Sequence, residues 1–346
     1  MLRSATKFLH HRFARSDRRW YPLLAVYYLT YRCSFRCPYC SDGAQNPYYT
    51  LRSPVLDAGR VIDVLRAMRR HSEFAVMTGG EPSEHPEFAE VLRRLPELDF
   101  RGLILTTNGH DIERDVPSIV RNVTELVISV DTLDHNRADG WYGVGQGALG
   151  QILDNLDRAR RAPGRRCEIV VSSVVGPENI PDLYGVYEYT RKRGFRFAAC
   201  PQLVGVKAHP ALTADPEYSR FFEFLIEEKK KGGNVHGTIP YLEHMRDLKK
   251  FGCRPFTMLV VSPNGDVFYP CLEIGKFAGN LLEEGDLHAL RSKGKSLFGP
   301  QPVCDNRCHS ACALGFSLLL AEPASVFLEG YLTVKGHVLR RIRGEG

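Results

Sequence analysis

The stretch Tyr31–Gly43, YRCSFRCPYCSDG, decides how the rest of this chain is read. Cys33, Cys37 and Cys40 stand at C-x3-C-x2-C spacing, with Tyr39 just before the last thiol and no fourth cysteine beside them. A 4Fe–4S cluster has four irons, each completed by one outer ligand, so four thiolates close it. Three leave one iron open, and an open metal position marks a catalytic site rather than a structural one. Spacing alone leaves two further readings: a zinc site that borrows a distant ligand, and core thiols with no common role.

The bounds around this stretch are those of a soluble globular protein. The 346 residues, 43% hydrophobic and 25% charged, can bury a large core. The sequence shows no secretory signal pattern, and no apolar run approaches the roughly 18 residues of a membrane-spanning helix. A cytoplasmic setting is therefore expected, in which ten cysteines serve metal or chemistry more readily than disulfides.

Charge gathers at the ends. Residues 1–20 and 331–346 are strongly basic, so the body between them is slightly acidic although the whole chain is +6. Leu2, Ala5, Leu9 and Phe13 recur at helical spacing, and Lys7, His11 and Arg15 fall largely away from that stripe. Such a helix fits either packing on the body or peripheral contact with an anionic inner membrane face. Aromatic residues do not interleave with the basic ones as single-strand stacking platforms require, which argues against nucleic acid.

Working outward, short apolar runs alternate with helical patterns. Strands are expected near 24–31, 74–78, 103–107, 125–130, 168–175 and 195–199, and helices near 55–70, 86–95, 111–121, 147–161 and 180–193. This alternation predicts parallel strands with helical crossovers, and six units suit a partial (β/α)6 TIM-type barrel. Beyond 210 two helices are expected, at 214–231 and 239–250. The run MLVVSPNGDVFYPC then reads as a hairpin turning at Asn264-Gly265. The expected divisions are a basic segment 1–20, a barrel 21–210, connecting helices 211–250, a cysteine-rich hairpin/helix extension 251–320 and a basic tail 321–346.

Special residues gather where the strands end. TGGEP (Thr78–Pro82) follows the second, TTNG (Thr106–Gly109) closes the third, SVDT (Ser129–Thr132) the fourth and CPQ (Cys200–Gln202) the sixth. That is the end at which barrel enzymes keep their chemistry.

On CSFRCPYC and GGEP, in this order after the first and second strands, the sequence resembles the radical SAM superfamily over roughly residues 24–202. The resemblance implies a 4Fe–4S cluster on Cys33, Cys37 and Cys40 that binds S-adenosylmethionine and cleaves it reductively. The resulting 5′-deoxyadenosyl radical would then abstract a substrate hydrogen atom. It implies a one-electron reductant such as flavodoxin or ferredoxin. Tyr39, Gly79, Gly80 and Glu81 would meet the cofactor, the last three at its methionine end. Ser129 and Asp131 would lie near the ribose, with Asn108 and the serines Ser172 and Ser173 as looser assignments.

The tail resembles the SPASM and Twitch extensions, which hold auxiliary Fe–S clusters. Cys253, Cys271, Cys304, Cys308 and Cys312 would supply one auxiliary 4Fe–4S cluster with a thiol to spare; structural zinc is the other reading of these thiols. Cys167 reads as a small core residue. Cys200 could donate a hydrogen atom to a substrate radical, contact the auxiliary cluster, or simply pack. The expected substrate is a small molecule, lipid-like or anionic and amphiphilic. The alternatives are a ribosomally made peptide, matured by an enzyme of the SPASM type, and a zinc-stabilised binding protein without catalysis.

Overall fold

The computed structural model describes residues 2–13, 20–300, 308–325 and 329. The strands, in chain order, are β1 (Leu24–Tyr28), β2 (Phe74–Thr78), β3 (Gly102–Thr107), β4 (Glu125–Ser129), β5 (Glu168–Val175), β6 (Arg196–Pro201), β7 (Leu203–Val204), β8 (Lys207–Ala208), β9 (Met258–Val261), β10 (Asp266–Tyr269) and β11 (Lys276–Asn280). The chain forms two compact units.

The first unit takes in residues up to Val127, Asp139–Cys167 and Pro255–Cys304. Its strands run in the order β11-β10-β9-β1-β2-β3, with β4 beginning beyond β3. β1, β2 and β3 are parallel, Ala25 facing Ala75 and Ala75 facing Leu103. The helices Ala58–His71 and Phe88–Arg94 make the crossovers between them. Asp57 starts the first crossover helix, its carboxylate accepting from the Arg60 amide, as an N-cap should. Val61, Ile62, Leu65 and Met68 of that helix are wholly buried, as are Ala25, Tyr27, Ala75, Met77 and Leu105 of the strands. Alternation along β3 sends Leu103, Leu105 and Thr107 to one side and leaves Ile104 and Thr106 half-buried on the other.

The hairpin turns where Asn264-Gly265 predicts, with Gly265 at φ +91°. β9 pairs in parallel with β1 as well as antiparallel with β10, so the hairpin widens the sheet of the first unit instead of standing on it. Side-chain hydrophobicity shows that a strand is buried but does not name its neighbour, and this partner was not readable in advance. Of the stretch expected as one extension, Pro255–Cys304 groups with the first unit and Asp305 onward with the second.

The second unit takes in Ile128–Ala138, Glu168–Arg254 and the residues from Asp305. β5 and β6 pair in parallel, Ser173 facing Ala199 and Val174 facing Cys200. The helix Ile180–Lys192 connects them, and the expected helices appear as Pro216–Lys230 and Ile239–Asp247. Phe221, Phe222 and Leu225 are wholly buried, with Phe221 edge-on to Tyr184.

Besides the single turns Pro210–Thr213 and Leu281–Glu284, three longer helices were not legible in the sequence: His135–Tyr142, Leu287–Phe298 and Ala311–Ala321. The first is short, polar and carries Gly140; the last is apolar nearly all round, so neither shows a helical period. The N-terminal helix spans Leu2–Phe13, yet Lys7 donates to the carbonyls of Pro22 and His71, and His11 bonds the Tyr21 carbonyl. Two of the three residues expected on its outward polar face are thus spent on the body of the first unit. Arg15, Cys304 and the basic tail from 330 lie outside the described residues. No helix among the described residues is long and apolar enough to cross a membrane.

Candidate active site

In the first unit, Cys33, Cys37 and Cys40 lie on the loop that leaves β1. The Cys40 amide donates to the Cys37 carbonyl at 3.1 Å, which closes a tight turn between these two residues. Arg36 braces the loop: one guanidinium nitrogen donates to the carbonyls of Cys33, Ser34 and Phe35 at 2.6, 2.8 and 3.0 Å, and the group lies 4.5 Å above the Tyr49 ring. Phe35 is buried and stacks on Tyr142 with 4.5 Å between centroids, while Tyr39 meets Trp141 edge-on at 5.9 Å. Tyr39 therefore has an aromatic partner that supports the loop. Trp141 and Tyr142 carried no signal in the sequence because their helix did not. Burial pushes the Cys33 thiol up to about 12; a backbone hydrogen bond at Phe35 opposes this, and Glu81, Glu84 and Cys40 add to it.

The glycines after β2 lie directly against this loop. A Cβ on Gly79 would stand 2.2 Å from the Thr30 carbonyl oxygen, and one on Gly80 2.3 Å from that of Arg32. The Gly80 amide donates to Thr30 and the Glu81 amide to Arg32. Glycine is required because backbone meets backbone, which leaves no room for a side chain.

Glu81 does something that sequence reasoning missed. Its carboxylate is 2% exposed and accepts from the Thr107 hydroxyl at 2.7 Å, the Asn108 amide at 2.6 Å, and the Ser83 amide and hydroxyl at 3.0 and 2.8 Å. Burial raises its pKa, and these hydrogen bonds oppose the rise. It fastens the β2 loop to the β3 loop, so its side chain is committed within the protein. Asn108 turns its own side-chain oxygen to the His110 amide at 2.9 Å. Beside them the hydroxyls of Thr78 and Thr106, the first residues of TGGEP and TTNG, pair at 2.7 Å in a polar rung at the strand ends.

A cleft of about 810 Å³ opens beside Cys33, lined by Arg32, Arg52, Glu84 and His85 among others. Neither Gly79 nor Gly80 reaches it. His85 is buried, with Nε2 2.9 Å from the Leu56 carbonyl.

In the second unit, Ser129 is exposed and Asp131 buried. Asp131 accepts from the Val174 amide at 2.7 Å, so part of its capacity goes to holding β5. Ser173 is fully buried and donates to the Val130 carbonyl at 2.5 Å, which makes it a strand fastener; Ser172, the next residue on the other face, is the more accessible hydroxyl. Cys200 faces Val174 in register. Burial raises its thiol to about 12, with Asp131 and Cys312 adding. Cys308 is buried and its sulfur accepts from the Ser310 amide at 3.3 Å, while Cys312 is exposed at the start of the last described helix. Cys253 lines a cavity with Ser317 and Leu318, and the Arg254 amide donates to the Ser317 hydroxyl. Cys271, in the first unit, caps the turn Leu272–Ile274. Cys167 is buried at the edge of β5, as a small core residue would be.

The family model for the radical SAM superfamily matches residues 27–190. Over that span, a little under half of its length, the chain is similar to this superfamily of enzymes. They work with a 4Fe–4S cluster and S-adenosylmethionine.

Among individual proteins, it is 31% identical over 170 residues to GTP 3′,8-cyclase of Marinobacter nauticus, matching 48% of this chain and 49% of that one. The chain thus spans about half the length of this curated relative. Its fold resembles that of Streptococcus suis SuiB bound to S-adenosylmethionine, with TM-score 0.61 and 18% identity over 78% of this chain and 65% of the other. It also resembles anSMEcpe with bound AdoMet, with TM-score 0.59 and 15% identity over 92% and 97%. These likenesses show the expected α/β partial-barrel fold.

Proposed function

We propose that the chain cleaves S-adenosylmethionine reductively and uses the 5′-deoxyadenosyl radical to abstract a hydrogen atom from a small-molecule or lipid-like metabolite. The observation that carries this reading is the backbone-to-backbone seam between the three-thiol loop and Gly79-Gly80, which puts both hallmarks of the superfamily into one local structure.

The donor set fits a 4Fe–4S cluster. Three soft thiolate donors sit on one short loop, as iron–sulfur ligation requires. The nearest carboxylates are already committed, Glu81 as above and Glu84 as acceptor from the Ser34 amide. Among the described residues no three His, Cys, Asp or Glu side chains form a metal-holding group, so the thiols must turn toward one another on binding. When bound, the cluster and S-adenosylmethionine supply the radical.

The chain's own residues prepare the place. Cys33, Cys37 and Cys40 would hold the cluster, and Arg36, Phe35 and Tyr39 hold the loop. Gly79 and Gly80 would offer backbone to the methionine end of the cofactor; within the first unit Glu81 holds the β2 loop to the β3 loop, and within the second Asp131 holds β5. Asn108 in the first unit, and Ser129 and Ser172 in the second, would supply polar contacts, and the chemistry would require water to be excluded from the radical. Four of Cys253, Cys271, Cys304, Cys308 and Cys312 would hold an auxiliary cluster, and a flavodoxin- or ferredoxin-like carrier would supply the electron.

The test is anaerobic reconstitution with iron and sulfide, then incubation with S-adenosylmethionine and dithionite, reading 5′-deoxyadenosine by mass spectrometry. Its absence from protein carrying the cluster would end this reading. A peptide substrate is the second reading, supported by the likeness of the fold to SuiB bound to its precursor peptide SuiA. Deuterium transfer into 5′-deoxyadenosine from labelled peptide pools or labelled metabolite pools separates the two.

A further inference from the structure

The loop that follows Cys40 is unusually well built. Asp42 Oδ1 accepts from the amides of Ala44 at 2.9 Å and Asn46 at 2.8 Å, and the Asn46 side chain returns to Asp42 Oδ2 at 3.1 Å. The Asp42 amide donates to the Asn46 carbonyl at 2.9 Å, Gln45 takes φ +66°, and Ser41 bridges Pro47. These bonds fix where the tip, Gly43, points.

It points at another backbone. A Cβ on Gly43 would stand 2.3 Å from the carbonyl oxygen of Glu273 and 2.9 Å from its carbonyl carbon and Cα. Gly43 is not among the residues with positive φ, so close approach, not backbone conformation, is what demands glycine here. Glu273 lies in the turn Leu272–Ile274, which follows Cys271 directly and closes at Gly275, whose amide donates to Leu272. A second link runs beside the first. The Tyr48 amide donates to the Cys40 carbonyl at 3.4 Å, and its ring stacks on Tyr28 of β1 at 5.8 Å between centroids. Tyr28 in turn lies 6.4 Å from Phe268, three residues before Cys271.

We propose that Gly43 and the Asp42–Asn46 hairpin are positioning elements that tie the three-thiol loop to the segment of Cys271, so that disturbing either one loosens the other. The proposal rests on the reading of both thiol sets as cluster ligands, but the mechanical link can be tested without metal. Two closed turns that meet backbone to backbone have no flexible side chain to absorb a displacement, so a shift at one is passed on.

The experiment is hydrogen exchange on the metal-free, full-length protein, comparing Gly43→Ala and the milder Asp42→Ala with the natural chain. Amides of residues 40–48 and 271–276 should both lose protection, by about tenfold or more in Gly43→Ala and less in Asp42→Ala. Loss confined to residues 40–48, or no change in either segment, overturns the proposal. In reconstituted protein with all cysteines intact, Gly43→Ala should also alter the electron paramagnetic resonance spectrum of the reduced three-thiol cluster in the presence of S-adenosylmethionine. An unchanged spectrum overturns the link to the site. If the natural protein shows no spectral response to S-adenosylmethionine, the functional reading fails while the exchange result still stands.

Discussion

Glu81 and Thr107 meet across two strand ends: the buried carboxylate accepts a 2.7 Å hydrogen bond from the hydroxyl. The other oxygen takes the Asn108 amide. A residue expected from the motif to face the cofactor therefore joins the two loops that would frame it.

Replacing Glu81 with Gln should be destabilising although it conserves shape. The new amide would set its NH2 opposite the Asn108 N–H, or opposite the donors of Ser83 and Thr107, leaving buried donors without acceptors. The expected cost is about 2 kcal/mol, read as a lower thermal midpoint. A Gln variant as stable as the natural protein would show that the carboxylate is not the fastener described.

Gly80→Ala tests the seam between the hallmarks. Its Cβ would fall 2.3 Å from the Arg32 carbonyl oxygen and 2.5 Å from that of Tyr31, neither of which can move without shifting the Cys33 loop. The variant should fold with a loss of roughly 1–3 kcal/mol and produce at least a hundredfold less 5′-deoxyadenosine, a penalty of about 2.7 kcal/mol at the barrier. Undiminished turnover would separate the glycine pair from the site.

Iron content divides the two thiol sets. Reconstituted protein should hold about eight irons, and the variant with Cys33, Cys37 and Cys40 all replaced by Ala about four, since each cubane has four. That variant should form no 5′-deoxyadenosine. A variant that binds zinc and no iron would make the tail thiols structural.

His71 gives the stability a pH dependence. Burial lowers its pKa from 6.5 to about 4, Arg70 and Lys7 lowering it further, Asp286 opposing and His288 adding a small decrease. Its Nε2 is buried with no hydrogen-bond partner among the described residues. The unfolded chain takes up a proton near pH 6.5 and the folded chain only near 4, so between these values the unfolded state binds more protons. Stability should therefore fall as pH drops through that window and be unaffected by His71 above it. The unscreened slope is about 1.4 kcal/mol per pH unit, and for a half-buried group solvent screening reduces it to roughly 0.5. Chemical denaturation at pH 7, 6 and 5 measures it, and His71→Gln should flatten the curve.

Strand order in the first half of the chain, the crossover helices and the three-thiol loop were legible because each is written locally. Strand periods, the Asp57 cap, Asn264-Gly265 and C-x3-C-x2-C all act over a few residues. The roles of Glu81 and Ser173 were not, because their partners lie 26 and 43 positions away. A buried acceptor's partner is fixed only once the strands are side by side.

By itself the sequence determined the two hallmark motifs and their order, the alternation of strand and helix, and the thiols available to a cluster, because spacing and periodicity are properties of the chain. The tertiary structure decided the rest. It placed β9 against β1, committed Glu81 and Ser173 to internal bonds, turned Lys7 and His11 onto the body, and set Gly43 against Glu273, 230 residues further along. The reason is geometric: which backbone comes close enough to exclude a side chain, and which buried donor finds an acceptor, follow from packing between segments far apart in the chain.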